Sequence, residues 1–224
     1  MKLFLKTFSI LLLMFLFLCP GAFASPVTVE NWSFESSSGT EYPDSGGGIW
    51  YMGDITGWDY SGDGIYGIWA PTVLYTGDVP DGDFIGYLHE EGSIRQTTNH
   101  LIEANNVFTL SLDIGNRSDM DFPAYTVNLM AGNTILDFGS VVPGEGLFST
   151  LTLSYTALLG DLNIGQNLGI QIFSGGPQLN FDNVRLSNDA IANHAVPEPA
   201  TMLLLGTGLL GLAGYGRKKK FFKK

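Results

Sequence analysis

The sequence predicts an all-β body, a jelly-roll β-sandwich, set between two apolar ends. Three observations predict it. Apolar and polar residues alternate with a period of two in several short segments, the pattern of strands with one buried and one wet face. Glycine is abundant, 29 of 224 residues, and much of it falls between those segments. No segment between the two ends carries the three-to-four spacing of an amphipathic helix.

The chain opens with Lys2 and Lys6, an apolar run over 8–18, and small residues at Ala22 and Ala24 around Phe23. A charged start, an apolar centre and an A-x-A site predict a secretory signal peptide over 1–24. Leu18 stands where a lipoprotein site would need a small residue, which argues against lipidation at Cys19. Cys19 is the only cysteine and leaves with the signal, so the mature chain has no disulfide and no thiolate metal site.

The β-sandwich is expected over 25–192. Its first part, 36–83, is rich in glycine and aromatics and alternates poorly, so long loops wrapped over one end of the sandwich are expected there. The strands follow. In 107–115, Phe108, Leu110, Leu112 and Ile114 alternate with Thr109, Ser111 and Asp113. Tyr125, Val127 and Leu129 alternate with Thr126 and Asn128, and Gly132 and Asn133 predict a tight hairpin into 134–138. Leu151, Leu153 and Tyr155 form another set, and Leu168, Ile170 and Ile172 a further one. Together they predict two packed sheets.

The end, 193–224, is a linker and a tail. Pro197, Glu198 and Pro199 precede 201–216, 16 residues without charge. Arg217, Lys218, Lys219, Lys220, Lys223 and Lys224 close the chain. The two prolines hold an extended segment. The apolar run is short against the ~20 residues that cross a bilayer, and tilt and snorkelling lysines close the gap, so a short transmembrane helix is expected. The basic end stays in the cytoplasm and the body lies outside.

This tail resembles the PEP-CTERM sorting signal of exported bacterial proteins. The resemblance implies recognition by an exosortase near Pro197–Pro199, and transfer of the body to the cell surface or an exopolysaccharide matrix. The body resembles galactose-binding-like domains, the fold of many carbohydrate-binding modules. The residues that carry this are Asn31, Ser33, Phe34 and Glu35 at its start, Thr56, Gly57 and Trp58 after them, and the segment Asn180, Phe181, Asp182, Asn183 at its close. Short matches at 80–83 and 93–97 lie between. The resemblance implies a core position for Trp58 and a structural Ca2+ shared by Glu35 and Asp182. Two solvent-facing carboxylates that cap turns are the alternative.

The body holds 21 acidic against three basic residues, a formal charge of −18, with Arg95, Arg117 and Arg185 its only cations. Phosphate backbones need basic contacts, so nucleic acid is excluded as a partner. Trp50, Tyr51, Tyr60, Tyr66 and Trp69 form a candidate platform for stacking sugar rings, or else plug the end of the sandwich. Asp78, Asp81 and Asp83 read as a turn, since the full calcium-loop spacing is absent. His89 beside Glu90 reads as a surface pair. No nucleophile elbow or metal-ligand spacing is present, and no enzymatic activity is expected. The sequence therefore leads to an exported, sorted, non-catalytic surface or biofilm-matrix protein with polysaccharide as its candidate ligand. A purely structural matrix protein is the alternative, and a secreted hydrolase the third reading.

Overall fold

A computed structural model describes residues 24–191 and 204–209. Eleven strands run in the body: β1 (Ser25–Val27), β2 (Thr40–Pro43), β3 (Ile49–Met52), β4 (Asp59–Gly62), β5 (Ile65–Ala70), β6 (Ile85–Leu101), β7 (Asn106–Asn116), β8 (Tyr125–Ala131), β9 (Thr134–Gly139), β10 (Leu147–Ala157) and β11 (Asn167–Ala190). All their pairings are antiparallel.

Two long strands make the sandwich. One layer runs β10–β7–β11–β6–β5–β3–β2, built on the second half of β11 and the first half of β6. The other layer uses the opposite halves: Ile172 of β11 pairs with Val127 of β8 and with Ile94 of β6, β9 pairs with β8, and β4 pairs with β6. The strands change layer where the backbone bends. Glu90 takes a positive φ of 68° in β6, and the register of β11 shifts between Gly176 and Gln178. A Cβ on Gly176 would lie 2.8 Å from the Pro123 side chain, so only glycine lets the chain turn against that proline.

The alternating residues fill the space between layers. Phe108, Leu110, Leu112 and Ile114 of β7 are almost wholly buried against Val127 and Leu129 of β8 and Ile170 and Ile172 of β11. Burial of each such side chain contributes about 1.5–3 kcal/mol. Phe34 sits at one end of this core, 4.9 Å edge-on from Phe181 and 5.4 Å from Trp58. Trp58 is buried, as the resemblance implied. Gly132, at φ 53°, turns the β8–β9 hairpin where it was expected.

The expectation of long loops over 36–83 is corrected: β2, β3, β4 and β5 all lie there, joined by short turns, and the longest irregular stretch is 71–84. The pattern misleads for a physical reason. β3 and β5 are covered by apolar groups on both faces, Tyr51 and Ile68 toward the main core and Trp50 and Trp69 toward a second aromatic cluster. A strand covered on both faces loses its alternation.

The body forms one compact unit that ends at Ala190. The second unit, 191–224, is described only as helix over 204–209. The signal over 1–24 apart from Ala24, the Pro197–Pro199 motif and most of the 201–216 span lie outside the described residues. Among those described, no helix is long and apolar enough to cross a membrane.

Candidate functional site

Successive side chains of a strand point to opposite faces. In β3, β5, β6 and β11, the face turned away from the main core presents Trp50, Ile65, Trp69, Tyr87, His89 and Gln178. With Asp44 and Arg117 these residues line a cavity of about 260 Å³. Trp50 and Trp69 stand directly opposite each other across the β3–β5 pair.

The aromatic wall is held by stacking. Tyr42 stacks on Trp50 at 4.6 Å, and Trp50 meets Tyr87 edge-on at 6.2 Å. Trp69 is buried, its Nε1 donates to Asp44 Oδ2 at 3.3 Å, and the Arg117 guanidinium lies 4.8 Å over its ring. The Tyr87 hydroxyl donates to the Tyr51 carbonyl at 3.2 Å.

Arg117 joins the wall to a polar row along β11. Its Nε and Nη2 grip both oxygens of Asp119 at 2.9 and 2.8 Å, and its Nη1 donates to Gln178 Oε1 at 2.8 Å. Gln178 Nε2 and the Tyr75 hydroxyl both donate to Asn180 Oδ1, at 3.4 and 3.1 Å. The hydrogen bonds from Arg117 hold the Asp119 carboxyl below its usual range. Burial pushes the Tyr75 and Tyr87 phenols well above theirs, so both stay protonated donors. The guanidinium is matched by Asp119, so a ligand in the cavity meets π faces, amide groups, the Asp44 carboxylate and the His89 imidazole.

Of the aromatics singled out in the sequence, the fold brings Trp50 and Trp69 into this cavity. Tyr51, Tyr60 and Tyr66 pack instead against the main core. Tyr60 and Tyr66 stack on each other at 3.9 Å, and the Tyr51 hydroxyl donates to Glu41 Oε2 at 2.6 Å. His89, read as half of a surface pair, lines the cavity. Asp44, Tyr87, Arg117 and Gln178 escaped the sequence reading. The parity that places Tyr87 on the same face of β6 as His89 was the signal that could have found Tyr87.

Glu35 and Asp182 both clasp the loop before β6. Glu35 Oε1 accepts from the Asp83 and Phe84 amides at 3.0 and 2.9 Å, and Asp182 Oδ2 accepts from the Asp81 amide at 2.9 Å. Asp182 is fully buried. Burial pushes its carboxyl up to about 8, and the charges of Asp81 and Glu35 add to the rise. Beside it, the buried Asn183 Oδ1 has no hydrogen-bond partner. Among the described residues no three His, Cys, Asp or Glu side chains are gathered to hold a metal. Both carboxylates serve the loop as amide acceptors, and carboxylate oxygens are the ligand type that Ca2+ takes.

Comparisons with known proteins bear on both parts of the chain. Residues 195–219 match the PEP-CTERM protein-sorting motif, which marks the protein for export and cell-surface sorting in a bacterium. Residues 25–187 match a family model described as HpiC1-like, HpiC1 cyclase. No curated protein matches the chain. Among solved structures, a Stig cyclase from Fischerella sp. TAU in complex with (3Z)-3-(1-methyl-2-pyrrolidinylidene)-3H-indole superposes with a TM-score of 0.66 at 24% identity, over 75% of this chain and 99% of that one. A cyclase from the same organism in complex with 4-(1H-indol-3-yl)butan-2-one superposes at 0.64 and 23%, over 75% and 98%. At these identities the shared feature is the fold. The xylan-binding domain of Paenibacillus barcinonensis Xyn10C is a more distant likeness, at 0.41 and 14%, over 70% and 99%.

The expectation of no enzymatic activity is corrected by the match of 25–187 to a cyclase family. The reason it misled is chemical. It rested on the absence of a nucleophile elbow and of metal-ligand spacing, and an enzyme family can work without either.

Proposed function

The chain belongs to the HpiC1-like family of cyclases, and from that premise we propose that its cavity takes a small molecule with a flat aromatic portion and promotes a ring closure in it. The family match over 25–187 is the observation that carries this reading. A ring closure needs a flexible substrate held with its reacting atoms in contact, and packed rings such as Trp50, Trp69 and Tyr87 supply such a mould. Positive charge that develops during closure is stabilised by aromatic faces and by the Asp44 carboxylate. Where the closure is an isomerisation, it consumes no co-reactant and needs only a proton donor and acceptor. His89 and Asp44 are the cavity groups of the right type.

The indole-bearing ligands of the two Fischerella cyclases suggest the probe. The full chain mixed with 4-(1H-indol-3-yl)butan-2-one is expected to quench tryptophan fluorescence saturably. Trp50→Ala is expected to weaken that binding tenfold or more, a loss of about 1.4 kcal/mol. No saturable quenching with a panel of indole ketones and amines, from protein shown to be folded, sinks the reading.

Carbohydrate is the second reading, favoured by the facing pair Trp50 and Trp69. A sugar polymer needs open ring faces, whereas Trp69 is 5% exposed and Trp50 is covered by Tyr42. The small-molecule reading therefore stands first, and binding on a glycan array without any indole binding would reverse the order. Processing by an exosortase, anchoring by the 201–216 segment before processing, and a Ca2+ ion held by Glu35 and Asp182 complete the proposal. Such an ion would tie the two ends of the body together and supply the charge that the buried Asp182 lacks.

A further inference from the structure

The turn between β10 and β11, residues 158–166, exposes apolar side chains from a rigid frame. Leu158, Leu159 and Leu162 are 58%, 84% and 94% exposed. Ile164 and Leu101 of the neighbouring β6 end are exposed beside them. The frame is closed by backbone hydrogen bonds from Asp161 to Leu158, Ile164 to Asp161 and Gln166 to Asn163. Asp161 carries the only charge in the turn, and its oxygens are engaged by the turn itself and by Tyr155. Its carboxylate accepts from the Tyr155 hydroxyl and from the Asn163 amide, and these bonds hold it below the usual range. The turn thus spends its polar groups on its own shape and leaves leucine on the outside.

The chain leaves the body at this same tip. Ala157, from which the turn departs, pairs with Asn106, and Asn106 pairs with Ala190, the last residue of β11. Two strand spacings separate the turn from the exit, about 10 Å. Ten residues then lead from Ile191 to Thr201, a reach of at most ~35 Å, before the uncharged run and its six basic residues. With the 201–216 segment anchored as proposed above, the apolar tip beside the exit is held within reach of lipid.

We propose that the 158–166 turn is a lipid-contacting surface, inserting Leu158, Leu159 and Leu162 into the outer face of the membrane while the sorting tail is still attached. This inference rests on the anchoring of the 201–216 segment proposed above and on the exposed tip, and is independent of what the cavity binds. Leucines at an interface gain the burial that water denies them, and a short tether keeps the partner at high local concentration.

The test uses the mature chain from Ser25 with its sorting tail attached, which has no cysteine of its own, reconstituted in phosphatidylcholine vesicles. Leu162→Cys carries a polarity-sensitive fluorophore, and Glu145→Cys at the other end of β10 carries the same label as control. Lipids with nitroxides on their acyl chains are expected to quench the Leu162 label at least threefold more than the control. Adding Leu158→Ser and Leu159→Ser is expected to bring quenching down to the control level, with the circular dichroism spectrum unchanged. Equal quenching at both positions overturns the proposal. So does a label that is buried without lipid quenching and responds to the protein-to-lipid ratio, which would place a second copy of the chain on the tip.

Discussion

Asp182 is held in the body with its carboxyl raised to about 8, and burial is the main cause. The folded group therefore binds its proton more tightly than the unfolded chain does. Between about pH 4 and about pH 8 the folded state carries the extra proton, so stability falls as the pH rises, by at most about 1.4 kcal/mol per pH unit. Above about pH 8 both states are ionised and the slope ends. A bound Ca2+ would favour the ionised carboxylate and remove that slope. In excess chelator the melting temperature is thus expected to fall across this window, and in millimolar Ca2+ to stay level. Asp182→Asn should flatten the chelator curve and abolish the response to Ca2+. A melting temperature that ignores Ca2+ at every pH removes the ion, while the Asp182 slope on its own would survive.

At the scale of the strands, β6 and β11 determine both the core and the cavity, because each passes through both layers. Their contact is close where Gly86 faces Phe181. A Cβ on Gly86 would lie 2.1 Å from the fully buried Phe181 ring. Gly86→Ala is expected to destabilise the body by about 1–3 kcal/mol in urea titration, the usual cost of overpacking, and to disturb Tyr87 next to it. A stability within about 0.5 kcal/mol of wild type would mean that the two strands slide past each other more easily than their packing implies. These strands also show what was legible beforehand. The strands β7, β10 and the start of β11 could be read because water reaches one face along much of each and forces alternation, whereas β8 alternates in sequence although Asn128 and Met130 on its outer face are buried. The strands β3 and β5 could not, because the cavity covers their outer face with Trp50 and Trp69. The segment that hides from a period-two reading is thus the one that builds the site. Trp50 and Trp69 were still visible as large rings in a glycine-rich stretch, whereas Arg117, just past the end of β7, and Gln178 of β11 come from parts distant in sequence, and only the pairing of β11 with β6 and β7 brings them together.

For the whole molecule, cohesion and charge oppose each other. The mature body has no disulfide, so its packed core carries the structure, while 21 acidic residues against three basic ones repel across a domain of ordinary size. Few of these charges are paired: among the described residues, Arg117 meets Asp119 at 2.8 Å and Arg185 approaches Asp81 at 3.8 Å. The second of these is exposed and worth ~1 kcal/mol or less, and two pairs leave most of the excess negative charge unmatched. Self-repulsion on this scale is long-ranged and therefore screened by salt, whose Debye length falls from ~30 Å at 0.01 M to ~10 Å at 0.1 M. Sodium chloride raised from ~0.01 M to ~0.5 M, with chelator present to keep divalent ions out, is expected to lift the melting temperature by roughly 3–6 °C, equivalent to about 1–2 kcal/mol for a body of this length. Most of the rise should come below ~0.15 M, because screening at the spacing of surface charges is then largely complete. Calorimetry across that range decides the matter. A flat or falling melting temperature would mean that the acidic groups are already paired with bound cations or carry protons at neutral pH, and the body would then owe its solubility to something other than its formal charge.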